Sequence, residues 1–482
     1  MVKPAESAVP NLALFDLRDA QGWSQEEEAE RLNELARAKG WPDTITANAV
    51  SRWERGIVEV PIPMHRQLLA ELFGVSQQEL GFTRPQAVQP DGSGGRDQSV
   101  IRSQREWLRT RQALNRHRSD LTRLATRLYP PEVRVGDTGL LMPADWRLAK
   151  PVPLDSIELV FTQAPAPTVT GHHEETQPLR PLVWPQRRYD RYHKAMRDLD
   201  RPRLFDNRVC YRLLGAEPMP AREAATLTFG HMRYFDMIDV GEALAHELAR
   251  TYLNPNGTLR TDQPSWEELP FRRLLGDPFG LHAYPLLLSI STLTIRRSPA
   301  GATFVLLRRN PERVAIAGGL LSVMPTGVFQ PACILSTEDC PDFDLWCNMM
   351  REYSEEFLGN PEHDGNGDPI DYANQEPFRS LTQAYTAGRI RVFALGVAID
   401  ALNLVGDILT VAVFDAEVFD RVFDVLVERN DEGSVVSVDD DRQHFGFDEP
   451  TIRRLLVNEP MAPSGAGALQ LAWEHRAAIL QP

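Results

Sequence analysis

The stretch LRDAQGWSQEEEAERL (residues 17–32), with AVSRWERG (49–56) and LLAELFGVSQQELGF (68–82), sets the organisation of the chain. Each piece reads as a short helix with its own start and stop. Ser24 and Glu27 form a capping box, in which a hydroxyl and a carboxylate each satisfy an orphan backbone N–H. Ala29, Leu32, Leu35 and Ala36 then make one apolar face, and Gly40 ends the helix. Pro42 breaks the chain. A second helix is predicted from about Thr46 to Arg55, with Val50 and Trp53 inward and Gly56 as its stop. Pro63 suits the first turn of a further helix, whose core is Leu68, Leu69, Leu72 and Phe73 and whose stop is Gly74. Ser76 and Glu79 make a second capping box. About five short helices therefore form a small all-α domain over 1–82.

These pieces strongly resemble the Cro- and lambda-repressor-like (XRE) helix-turn-helix family. The resemblance covers Leu12–Phe82 and rests on WSQEE, VSRWERG and LFGVS. One departure is the connection KGWPDTITANA (39–49), which is longer than the usual tight turn. The resemblance implies that the helix containing VSRWERG enters the major groove of double-stranded DNA. Asn48, Ser51 and Arg52 are then the base readers, because Asn suits adenine and Arg suits guanine through paired hydrogen bonds. Ser24 and Gln25 would meet a phosphate at a helix N-terminus, and Arg55 would reach the DNA backbone. Glu26, Glu27, Glu28 and Glu30 make this domain acidic. A helical domain used only for protein contacts therefore stays open.

The whole chain has 482 residues and a formal net charge of -15, enough for about two to four domains. No window approaches the roughly 20 apolar residues that cross a bilayer. MVKPAESAVP has no apolar core behind its lysine and does not read as a signal peptide. Cys210, Cys333, Cys340 and Cys347 form no CxxC pair, so free thiols in a reducing cytoplasm are expected. Residues 83–99, polar and rich in Pro, Gly and Gln, read as a flexible linker. An arginine-rich helix follows over 100–130, ending at Tyr129-Pro130-Pro131. It carries Arg102, Arg105, Arg109, Arg111, Arg116, Arg118, Arg123 and Arg127 against only Glu106 and Asp120. Arg109 and Arg116 are expected to neutralise DNA phosphates. Its stripe of Trp107, Leu108, Leu114, Leu121, Leu124 and Leu128 suits internal packing or a homodimer.

Residues 131–283 read as a mixed middle region, with IELVF (157–161) as a strand, 162–186 as a loop, and helices at 188–200 and 240–252. From Tyr284 the texture is of strands: 286–295, 303–309, 389–399 and 407–414, with one strong helix at about 346–358 and a last helix at 469–479. In that strong helix Glu352, Glu355 and Glu356 lie at i, i+3 and i+4, on one face. Like charges at this spacing repel, and a divalent cation, Mg²⁺ or Mn²⁺, would relieve the repulsion. REYSEE (351–356) resembles the core of the Nudix box, and the resemblance extends over about Tyr284–Gln481. It implies metal-holding glutamates and a ligand with a diphosphate linked to another group, with Arg351 orienting the carboxylates. The loop before the helix departs from the box. Its opening glycine position is Thr337, with Gly327 ten residues too early, and its expected glutamate is Phe343, with Glu338 as a substitute.

AHELAR (245–250) fails as a zincin motif because the second histidine is Arg250. His172 and His173 lie in a polar loop. The chain is thus read as multidomain: an all-α helix-turn-helix domain (1–82), a flexible linker (83–99), an arginine-rich helix (100–130), a mixed α/β middle region (131–283) and a Nudix-like α/β (α+β) domain (284–482). The expected function is that of a cytoplasmic, nucleoid-associated, dimeric transcriptional regulator. Its last domain would sense a nucleotide-type or phosphorylated small molecule. The alternative is a metal-dependent Nudix-type hydrolase of nucleoside diphosphate derivatives fused to a DNA-binding module. A protein-interaction scaffold is a third class.

Overall fold

The computed structural model describes residues 11–39, 41, 43–55, 58, 61–75, 80–82, 98–202, 205–219, 224–254, 257–260, 262–309, 319–332, 342–363, 369–424, 433–435 and 444–481. The chain divides into two compact units, Met1–Gly95 and Arg96–Pro482. No helix among the described residues is long and apolar enough to cross a membrane.

The first unit contains helices α1 (Leu12–Asp19), α2 (Gln25–Ala38), α3 (Ala47–Glu54) and α4 (Pro63–Phe73). The Ser24 capping box is present: the Glu27 amide donates to Ser24 Oγ (3.2 Å) and the Ser24 amide to Glu27 Oε2 (2.7 Å). At α3 only the Thr46 hydroxyl caps, accepting the Ala49 amide (3.2 Å), and Gly74 ends α4 at a left-handed φ of 65°. The long α2–α3 connection is pinned by Asn33, whose amide group donates to the Ile45 carbonyl (2.7 Å) and accepts from the Ile45 amide (2.9 Å). Leu14, Ala29, Leu32, Ala36, Ile45, Val50, Trp53, Leu68, Leu69 and Leu80 form the core. The helix stops at Gly40, Pro42 and Gly56, and the Ser76/Glu79 capping box, lie outside the described residues.

The second unit combines helices with a mixed, curled sheet in an α/β architecture. At its centre strand Leu288–Ser298 runs parallel to Gly406–Asp415, with Ile290 opposite Ile408. Ile390–Asp400 pairs antiparallel on the far side of Gly406–Asp415. Side chains of the two central strands are buried on both faces, which accounts for their continuous apolar runs. The segment 303–309 is not one strand. Gly301–Phe304 extends the main sheet, whereas Leu306–Arg309 pairs with Leu321–Val323 and Gly433–Val435. Phe304, Val305, Leu306 and Leu307 are all buried, so the run has no alternation and lies where two sheets meet.

The segments 100–130, 131–283 and 284–482 interleave in this unit. Leu140–Leu141 and Arg147–Pro153 both pair with Ile390–Asp400. The Tyr211 and Leu213 amides donate to the Phe329 and Leu286 carbonyls. The middle region also contains an unforeseen antiparallel pair, Val209–Met219 with Ala224–Arg233. Arg212 obscured it in the sequence, yet that guanidinium is buried and donates to the carbonyls of Pro165, Leu281 and His282.

The arginine-rich helix is interrupted. It forms α5 (Gln98–Arg116) and α6 (Arg118–Thr126), with His117 between them at φ -107° and ψ 19°. Leu114, Leu121, Leu124 and Leu128 pack on Ala245, Leu248, Ala249 and Tyr252 of the helix Ala243–Tyr252. The leucine stripe is therefore consumed within its own unit and does not offer a surface to a second copy. Below it, Glu242 ends a π-helix, Ile238–Glu242. Arg111 Nη1 donates to Glu242 Oε2 (2.5 Å) and Arg118 Nη2 to Oε1 (2.9 Å). Burial alone would raise the Glu242 carboxyl, but Arg118 and Arg111 together hold it below its ordinary value.

Removing one partner of a buried ion pair leaves an uncompensated charge. Glu242→Gln is expected to destabilise the second unit by about 3–5 kcal/mol. Amide exchange on the full chain should show protection lost over 98–126 and 238–252, with α1–α4 unchanged. Unchanged protection in both segments would contradict a stabilising role for the Arg111–Glu242–Arg118 cluster.

Candidate functional site

In the first unit, α3 has two unlike faces. Val50 and Trp53 are buried, while Asn48, Arg52 and Arg55 are exposed and Ser51 is half-buried. Arg55 folds back so that Nε donates to the Ser51 carbonyl (3.3 Å). The inner end of α3 is fixed by Glu54. Arg18 Nε donates to Glu54 Oε1 (2.6 Å) and Gln25 Nε2 to Oε2 (2.6 Å). The Asn11 amide N–H also donates to the Glu54 carbonyl (2.7 Å). One carboxylate thus ties α3 to α1 and α2.

The α2 N-terminus is less open to a phosphate than its sequence suggested. Ser24 Oγ accepts the Glu27 amide, and the Gln25 side chain reaches Glu54. The hydrogen bond from the Ser24 backbone holds the exposed Glu27 carboxyl below its ordinary value, so an anion already occupies the helix end.

Beneath these groups lies Glu28, fully buried, with Arg18 Nε 3.7 Å from its carboxylate. Neither of its oxygens has a hydrogen-bond partner among the described residues. Burial, then the proximity of Glu54, push the Glu28 carboxyl up to about 8 against the pull of Arg18. Arg18 and Glu54 were not singled out from sequence, and Glu28 was read there only as one of an acidic run. No local pattern marks them, since they meet only when three helices are packed.

In the second unit, the strong helix is α-helical over Leu345–Glu352 and then widens into a π-helix, Tyr353–Phe357. The three glutamates differ in exposure. Glu352 and Glu355 line an open cleft of about 90 Å³ together with Gly327, Val328, Gln330, Arg351, Glu362 and His363. Glu356 is buried and accepts the Thr326 amide (2.7 Å). A methyl group on Gly327 would fall 1.9 Å from the Glu352 carboxyl carbon, so the carboxylate lies directly against glycine backbone. Gly327 therefore approaches the helix from a place that motif spacing did not give it. Glu355 accepts the His363 amide (3.1 Å).

Arg351 holds the loop that precedes the helix. Its guanidinium donates to Asp342 (3.0 Å), Tyr372 (2.9 Å), Asn348 (2.8 Å) and the Gln330 carbonyl (2.6 Å). Phe343, in the place where the box wants a glutamate, stacks on Phe329 and meets Tyr211. Thr337 and Glu338 lie outside the described residues, as do Cys333 and Cys340. Among the described residues no group of three His, Cys, Asp or Glu side chains is arranged to hold a metal ion.

Arg109 and Arg116 are exposed on α5. His246 is buried, pairs with the Tyr192 hydroxyl (3.0 Å) and stacks on Trp107. Glu247 accepts the Phe271 and Arg272 amides, capping the next helix. Burial pushes the Cys210 thiol up to about 12, which makes it a poor nucleophile. No protein-family model matches the chain, and no curated protein matches it.

Glu28 has a consequence for stability. Its carboxyl ordinarily loses its proton near 4.5 and in the folded chain near 8. Between these values the unfolded chain has released a proton that the folded chain retains. The contribution is complete below 4.5 and is lost as pH rises through about 8. Protection factors of α1–α3 in the full chain should fall across this range and stay level in Glu28→Gln. A wild-type profile parallel to that of the variant would contradict the assignment.

Proposed function

We propose that the chain is a sequence-specific, DNA-binding transcriptional regulator whose first unit is an XRE-type helix-turn-helix. The observation that carries this reading is the two-faced α3. Its inner side is locked by Val50, Trp53 and the Arg18–Glu54–Gln25 bonds, and its outer side offers Asn48 and Arg52 to solvent. Asn and Arg are the residues that read adenine and guanine edges with paired hydrogen bonds. A rigid helix presenting them loses little side-chain and backbone freedom on docking into a major groove. Acting as a homodimer in the cytoplasm, such a protein would occupy an inverted repeat with half-sites about one helical turn apart.

Within the second unit, the reading is of a Nudix-like region that senses a nucleotide-type or phosphorylated small molecule. Glu352 and Glu355 supply two carboxylates at one cleft. Mg²⁺ is commonly bound through one or two carboxylates with phosphate and water filling the remaining positions. Mg²⁺ or Mn²⁺ held this way would bring a diphosphate into the cleft, with Glu356 supporting the Thr326 backbone from inside. The ligand would change DNA affinity only to the extent that it prefers one conformation of the protein.

Two measurements test these readings. Arg52→Ala is at an exposed position and should fold normally. It is expected to cost about 1–3 kcal/mol at the site it reads and to erase discrete peaks in genome-wide occupancy. Persistence of the same peaks would remove α3 as the reader. For the cleft, Mg²⁺-dependent binding of ADP-ribose should be lost in Glu355→Gln. Multiple turnover of that compound by the wild type, abolished in Glu355→Gln, would assign the alternative, a Nudix-type hydrolase joined to a DNA-binding unit.

A further inference from the structure

The arginines that follow the linker divide into two rows. Arg111 and Arg118 are buried on Glu242. Arg102, Arg105, Arg109 and Arg116 are exposed. At 3.6 residues per turn these four fall within an arc of about 60° on α5, opposite the buried Trp107 and Leu114. At 1.5 Å per residue they extend over about 21 Å. Gln112, exposed and uncharged, lies about 20° outside this arc on one side, and Glu106, the one acidic residue of α5, about 40° outside it on the other.

The bonds that hold α5 in place come from other residues. Ser103 and Gln104 bind the Leu182 backbone, Trp107 Nε1 donates to the Leu179 carbonyl (3.0 Å), and Arg111 meets Glu242. The exposed row is thus presented on a helix that is already fixed. In a chain of net charge -15, a concentrated cationic row is what a polyanion would need in order to approach. Duplex DNA carries one negative charge per roughly 1.7 Å of axis, and the guanidinium fork matches phosphate geometry.

We propose that the exposed face of α5 is a sequence-independent docking surface for the backbone of double-stranded DNA, carried by the second unit and distinct from α3. It goes beyond the α3 reading and does not require it.

The test uses the full chain and two unrelated duplexes, with affinity measured between 50 and 200 mM salt, a range that exposes phosphate contacts. Each phosphate contact contributes about 0.9 to the slope of log affinity against log salt. Arg109→Glu with Arg116→Glu should lower that slope by about 2, equally on both duplexes. Gln112→Arg, which removes nothing, should raise it by about 1. Unchanged slopes in both variants, or a loss confined to one duplex, would overturn the proposal. So would tighter binding by the reversed-charge variant, which would mean that the row covers an acidic surface of this same chain. Arg52→Ala on a duplex bearing an occupied site reports α3 separately. Lost discrimination there with unchanged slopes removes the α5 surface alone, and the converse removes α3 alone.

Discussion

The second unit depends on one buried carboxylate. Glu242 lies on a π-helix in the interior, where an ionised group is tolerable only if it is paired and hydrogen-bonded. It is met by two guanidinium groups, Arg111 and Arg118, seven positions apart and on either side of the break at His117. That requirement decides which arginines of α5 and α6 turn inward. The exposed row Arg102, Arg105, Arg109 and Arg116 is the complement of that choice.

The first unit repeats the device on a smaller scale. Glu54 closes α3 onto Arg18 and Gln25, while Glu28 lies fully buried beside Arg18. Two carboxylates near one guanidinium cannot both be ionised at low cost in a buried setting. Glu54 keeps the hydrogen bonds, and Glu28 keeps its proton up to a high pH. The orientation of Asn48 and Arg52 thus rests on groups that do not themselves face solvent.

Much of the local structure was legible in the sequence. The Ser24 capping box, the inward Val50 and Trp53, the apolar central strands and the helix carrying the glutamates follow from caps and periodicity, which are properties of neighbouring residues. The strand pair 209–233 was not legible, because Arg212 reads as exposed until its carbonyl partners from distant segments are in place. The glutamate cluster was legible only as a spacing. The spacing did not show that Glu356 is buried on the Thr326 amide while Glu352 and Glu355 line a cleft, because packing against the Thr326–Gly327 backbone decides that.

The sequence by itself determined the short capped helices of the first unit, the acidic balance, the buried central strands and the density of arginine after residue 100. Only the tertiary structure decided which of those arginines are structural and which are available. It also brought Gly327 against Glu352, made the leucine stripe internal and interleaved segments 131–283 and 284–482 in one unit. The physical reason is the same in each case. Caps and periodicity act over a few residues, whereas these arrangements depend on groups from distant segments, as when Glu242 is met by Arg111 and Arg118, 131 and 124 positions away.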